Sequence, residues 1–152
     1  MLDTEIKQHD AQLEMLTAAR APDLVKAHGM ATGAAAEMLL LVGDNPERIH
    51  SEAAFAKLCG ACLIPASSGK TNQHRLNRGG NRQANAALYR VVIVRMRGHQ
   101  PTLDYVRRRT VGGMSKPETF RCLERYVARE IFRYLCMPPK LAIMPFVAPW
   151  PI

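Results

Sequence analysis

Apolar side chains recur at steps of three and four along most of this 152-residue chain, the period of helices that bury one face. The clearest case opens at Ser115-Lys116-Pro117-Glu118. Serine followed three residues later by glutamate is a capping box, and proline in the first turn already holds the backbone angle of a helix start. Phe120, Leu123, Val127, Ile131 and Leu135 then mark one face. The same spacing predicts helices over residues 81–97 and 102–109, the first with Ala84, Ala87, Leu88, Val91 and either Val94 or Arg95 on its inner side. The β-branched run Val91 to Val94 could form a strand, but its alanine-rich lead-in and the total length favour a helix. Aromatic residues are only 6% of the chain, so the core rests on Leu, Ala, Val, Ile and Met. An all-α fold is expected.

Near the start, Leu2, Ile6, His9, Leu13 and Leu16 fall into one narrow helical seam with coiled-coil spacing. Barely two heptads are present, so this helix must pack on its own domain or on a partner strand. From Pro22 to Leu40 the pattern is a short helix, a turn at Gly29 and a second helix closed by Gly43. Such spacing resembles a helix-hairpin-helix, which offers backbone N–H groups to a phosphate. A plain packing hairpin fits too, since Ala31 stands where that motif has its second glycine. Ser51 is a candidate N-cap for a helix through Ala53, Phe55, Leu58 and Cys59, ended by Gly60. Residues 61–80 lack a sustained period and predict a long loop, a feature that in compact domains is usually functional or mobile. Residues 136–152, with five prolines, cannot continue the last helix. Three parts are therefore expected: a coiled-coil helix over residues 1–20, a helical domain over 21–135, and an apolar tail over 136–152.

Charge is segregated. Between Lys70 and Arg133 there are 15 Lys and Arg against 4 Asp and Glu, a local +11, while the whole chain carries +8. Arginine predominates in that region, and its planar fork suits bidentate contact with phosphate. A polyanion is the expected partner, ahead of a merely solubilising face. No apolar run approaches the roughly 18 residues of a membrane span, and the N-terminus lacks the order of a signal peptide. A cytoplasmic protein is expected, with no membrane partner. Cys59, Cys62, Cys122 and Cys136 are too few and scattered for a disulfide framework.

Cys59-Gly60-Ala61-Cys62 could be half a zinc site, a redox pair, or two buried thiols at a helix end. Two further ligands at suitable spacing are missing, so no metal site is expected. Carboxylates are thinly spread in the basic half, which excludes a complete two-metal phosphoryl-transfer centre. No G-x-S-x-G elbow marks a hydrolase. What remains is the run from Pro65 through Ser67-Ser68-Gly69-Lys70, followed by His74-Arg75, Arg78 and Arg82. A loop serine among cations suits attack on a phosphodiester, because the cations stabilise both the alkoxide and the charge on phosphate. A phosphate-binding loop or an ordinary turn would carry the same residues.

These blocks carry a resemblance. Ser51 to Gly60, Pro65 to Lys70, His74 to Leu88, Arg121-Cys122-Leu123 and Arg125 to Glu130 occur in an order similar to the C-terminal domain of the IS-one-ten type of insertion-sequence transposases, over about residues 2–135. The resemblance implies a helical domain joined through a coiled coil to a RuvC-like domain, whose four carboxylates hold a divalent metal such as magnesium. It implies DNA excision and insertion, and for some members guidance by a structured RNA. The family's serine-glycine pair falls on Ser68-Gly69, which makes Ser68 the candidate nucleophile and Ser67 its rival. Ser67, Gly69, Lys70, His74, Arg75, Arg78 and Arg82 are then expected at the nucleic acid, with Asn77 to Asn81 forming the turn into the next helix. The RuvC-like carboxylates are not among these residues, so no cofactor is expected in this chain. The expected protein is a DNA-binding transposase fragment, inactive alone and a partner of DNA, of a guide RNA, and of further copies or a separate N-terminal domain; the alternative is a non-catalytic DNA- or RNA-binding module or a decayed transposase remnant.

Overall fold

The computed structural model describes residues 1–65, 69, 74–75 and 77–137, with only the backbone of His74. Seven α-helices are found among them: α1 (Leu2–Arg20), α2 (Pro22–Lys26), α3 (Thr32–Val42), α4 (Glu52–Leu58), α5 (Arg82–Gly98), α6 (Gln100–Val111) and α7 (Lys116–Cys136). The all-α expectation holds. One departure is small: Ile64–Pro65 (β1) and His74–Arg75 (β2) pair antiparallel, with Ile64 opposite Arg75 and Pro65 opposite His74. Apolar period cannot reveal a two-residue ladder, because strand alternation needs at least four residues to register.

α7 is the spine. The Ser115 N–H donates to Glu118 Oε2 at 3.2 Å, completing the capping box that starts it. Leu123, Val127 and Ile131 are buried as the spacing predicts, with Phe120 and Leu135 half-buried beside them. The few aromatics are concentrated on its contacts. Phe55 of α4 meets Phe132 at 6.1 Å, Tyr89 of α5 meets Phe120 at 5.3 Å, and Tyr105 of α6 meets Tyr126 edge-on at 5.5 Å. Such tilted pairs add about 0.5–1.5 kcal/mol each beyond the area they bury. With so few rings available, placing them at the helix crossings fixes the relative positions of α4, α5 and α6.

α5 is helical through the β-branched run. Ala84, Ala87, Leu88, Val91, Val92 and Arg95 are buried, a 3.6-residue period, whereas Val94 is exposed. The inner position left open between Val94 and Arg95 belongs to the arginine. Its Nη1 and Nη2 donate to the two carboxylate oxygens of Glu130 on α7 at 2.7 and 3.0 Å, and its Nε donates to the His28 carbonyl at 2.7 Å. That carbonyl lies in the turn between α2 and α3. Gly29 of the same turn has φ +80°, and a Cβ there would crowd Arg95 Cγ and the Val91 carbonyl. The turn is thus packed against α5, and the anticipated hairpin geometry serves the core.

α1 lies against α2 and α3 and buries only Thr17. Leu2, Ile6 and Leu16 of the predicted seam are 75%, 56% and 63% exposed. Next to Leu13 and Leu16, Leu39 and Leu40 of α3 help line an apolar groove. The tail from residue 138 onward lies outside the described residues.

Candidate nucleic-acid interface

The cationic loop returns to the helical body at a junction between α4 and α5, where two glycines let the backbones touch. A Cβ on Gly80 would overlap the Cα and N of Gly60, so neither side can widen. Gly60 itself has φ +70°, a conformation that side chains with a Cβ rarely adopt. Three asparagines, spaced at i, i+4 and i+8, fasten the junction. Asn77 Nδ2 donates to the Lys57 carbonyl at 3.3 Å while its Oδ1 accepts from the Gly79 N–H at 3.0 Å. Asn81 caps α5 by accepting from the Ala84 N–H at 3.0 Å, and its own N–H donates to the Leu58 carbonyl at 2.7 Å. Asn85 Nδ2 reaches the Cys59 carbonyl at 3.3 Å. The end of α4 thereby has its orphan carbonyls satisfied by the start of α5.

A cleft of about 290 Å3 opens at this junction, lined by Gly60, Asn77, Arg78, Gly80, Arg82 and Asn85. Arg78 and Arg82 are exposed, and among the described residues neither forms an ion pair. Two guanidinium forks beside a glycine backbone, with no carboxylate in the lining, form an anion-accepting surface. The chain leaves this cleft after Gly60, forms β1, and returns through β2 to Asn77. Between the two strands lies the segment with the candidate nucleophile. Ser67, Ser68 and Lys70 lie outside the described residues, as does the His74 side chain. Gly69 has φ +64° and open space around it, and Arg75 is exposed.

Several other arginines are engaged within the protein. Arg95 is spent on Glu130 and the His28 carbonyl, so it leaves the set of residues available to a polyanion. Arg125 and Arg129 of α7 converge on Glu52 of α4, at 3.5 and 2.9 Å. Sequence reasoning missed this pairing because Glu52 lies outside the basic half. Arg109 stacks over the Tyr105 ring at 5.2 Å. Asn85 and the Gly60–Gly80 contact were also missed. The eight-residue asparagine spacing was visible, but its partners on α4 were not.

All four cysteines are free thiols, and among the described residues no group of three or more His, Cys, Asp and Glu is placed to hold a metal ion. Cys59 is buried, and burial first, then proximity to Cys136, pushes its thiol up to about 12. It stays protonated and inert at neutral pH. Among the described residues no helix is long and apolar enough to cross a membrane.

The helical body thus holds two exposed arginines at a polar cleft. The sequence matches the Transposase IS116/IS110/IS902 family over residues 23–107, more than half of the chain, and the protein belongs to that family. The matched stretch runs from α2 into α6 and contains the whole cleft. No curated protein matches the sequence.

Proposed function

We propose that this chain is the nucleic-acid-binding helical part of a transposase, gripping DNA phosphates at the Arg78–Arg82 cleft beside a serine nucleophile at Ser68. The observation that supports it most is the cleft itself, two exposed guanidiniums on a backbone junction locked by Gly60, Gly80 and three asparagines. In the proposed step Ser68 Oγ attacks a DNA phosphorus. A new P–O bond forms as one bridging P–O bond breaks, and the departing oxygen takes up the proton that serine gives up. Arg78 and Arg82 steady the charge on the non-bridging oxygens. Ser67, Gly69, Lys70, His74 and Arg75 belong to the same phosphate-contacting segment.

A divalent metal such as magnesium is implied by the family resemblance, but the described residues do not fit it, since no carboxylate cluster is present. The reading therefore assigns the metal to a RuvC-like domain on the same or a separate polypeptide, and the reaction centre is complete only when that domain is present. DNA is the principal partner, and a structured RNA, as another phosphate polymer, is a second. The exposed seam of α1 pairs with another copy of the chain in this reading.

The test is to trap a covalent adduct between end-labelled DNA and a transposase assembly containing this chain and a carboxylate-bearing domain. An adduct lost on Ser68→Ala, but kept on Ser67→Ala, supports the assignment. Persistence after Ser68→Ala contradicts it.

A further inference from the structure

The cleft accounts for only two of the exposed arginines. α5 carries four arginines and no Asp or Glu, and it divides them by face. Arg95 points inward to Glu130. Arg82, Arg90 and Arg97 are exposed and form no ion pair among the described residues. At roughly 100° per residue, positions 82, 90 and 97 fall within an arc of about 80° on the side of the helix away from the buried face. At 1.5 Å per residue they are spaced about 12 and about 10.5 Å apart along the axis.

We infer that the outward face of α5, from Arg82 through Arg90 to Arg97, is a track for the phosphate backbone of a nucleic-acid duplex, continuous with the cleft at Arg82. This rests on the nucleic-acid reading above and extends it to a surface that reading does not use. Three observations carry it. First, the same chain neutralises other cations internally: Arg125 and Arg129 share Glu52, and Arg95 has Glu130. On α5 itself the sorting is by face: the one arginine on the buried side is paired, and the three on the opposite side are left open. Second, exposed Ala86 lies between Arg82 and Arg90 on the same face, and so short a side chain lets a sugar-phosphate backbone come close. Third, the spacing of about 12 Å from Arg82 to Arg90 is near the roughly 12 Å width of the B-form major groove, so neighbouring guanidiniums can hold phosphates on its two edges. The rigid helix keeps that spacing. Such contacts fix register and orientation and carry no sequence information.

The experiment measures how binding of the full chain to a labelled mixed-sequence duplex of about 30 base pairs depends on salt between about 50 and 200 mM. Arg90→Gln/Arg97→Gln is compared with the parent and with Lys7→Gln/Lys26→Gln, exposed lysines outside the basic half whose loss changes net charge equally. Glutamine matches arginine closely in helix propensity, and circular dichroism confirms that each variant is folded. Each lost phosphate contact reduces the slope of log K against log salt by about 0.9, so the arginine pair should reduce it by about 1.8. Over that fourfold range the arginine variant then loses about twelvefold less affinity than the parent, while the lysine variant keeps the parental slope. An RNA duplex of the same sequence shows which backbone the track prefers. Parental slope in the arginine variant, or an equal fall in both variants, overturns the track and leaves the cleft standing. Failure of the parent to bind either duplex overturns track and nucleic-acid reading together.

Discussion

Replacing Arg95 with methionine separates the cations that hold the fold from those that meet a ligand. The Arg95 side chain is 5% exposed and makes three hydrogen bonds, two to Glu130 and one to the His28 carbonyl. Methionine fills most of the volume, so the loss is chiefly electrostatic. It leaves the Glu130 carboxylate, only 19% exposed, without its counter-charge, and strands a carbonyl of the α2–α3 turn. Removing one partner of a buried ion pair costs about 3–5 kcal/mol, a large part of the 5–15 kcal/mol that holds a typical domain folded. Urea denaturation followed by far-UV circular dichroism should show a lower midpoint at unchanged m-value. The double variant Arg95→Met/Glu130→Met should recover much of the loss, because no uncompensated charge remains. His99 gives a second readout. Its pKa is held below the usual value first by burial and next by Arg95, so the variant should titrate at higher pH by NMR. A single-variant loss within about 0.5 kcal/mol of zero, or a double variant worse than the single, would refute the reasoning.

Gly80→Ala should destabilise by about 1–3 kcal/mol, the usual cost of overpacking, because its Cβ would enter the Gly60 backbone; a melting temperature equal to the parent's would show that the junction can relax. Glu124 is buried in α7, and burial raises its carboxyl to about 7, with Arg121 opposing. The folded state thus holds this proton more tightly than the unfolded chain, so the group's stabilising contribution is full below pH 4.5 and is lost as pH rises through 7. Glu124→Gln should therefore gain about 2–3 kcal/mol relative to the parent at pH 8 and little at pH 4.5; denaturation curves giving the same difference at both values would contradict it. Cys59 should resist iodoacetamide at pH 8 in the folded chain and react once urea unfolds it, and mass spectrometry finding Cys59 alkylated in the native state would count against the burial.

Helix positions were legible because each helix declares itself locally. The capping box at Ser115 and the N-cap at Ser51 appear in the structure as hydrogen bonds. The family was legible too, from the order of blocks that span the cleft. Pairing between distant residues was not. Fifteen cations in one stretch said that the region is basic, and the spacing of α5 offered Arg95 only as an alternative to Val94 on the inner side, while nothing local marks Arg125 and Arg129 as ties. Their partners sit on other elements, Glu52 more than 70 positions upstream of Arg125 and Arg129. The α1 seam shows the converse, since its spacing fixed a helix but left its partner open, and the seam lies exposed. Ser67, Ser68 and Lys70 stand outside the described residues, so their roles rest on the resemblance and the chemistry of their neighbours.

The most direct test of the central claim is the salt dependence of duplex DNA binding by the full chain, compared with Arg78→Gln/Arg82→Gln. The account predicts that affinity falls steeply with salt for the parent, and that the slope of log K against log salt drops by about 1.8 in the variant, about 0.9 for each phosphate released. A flat salt profile for the parent would contradict it.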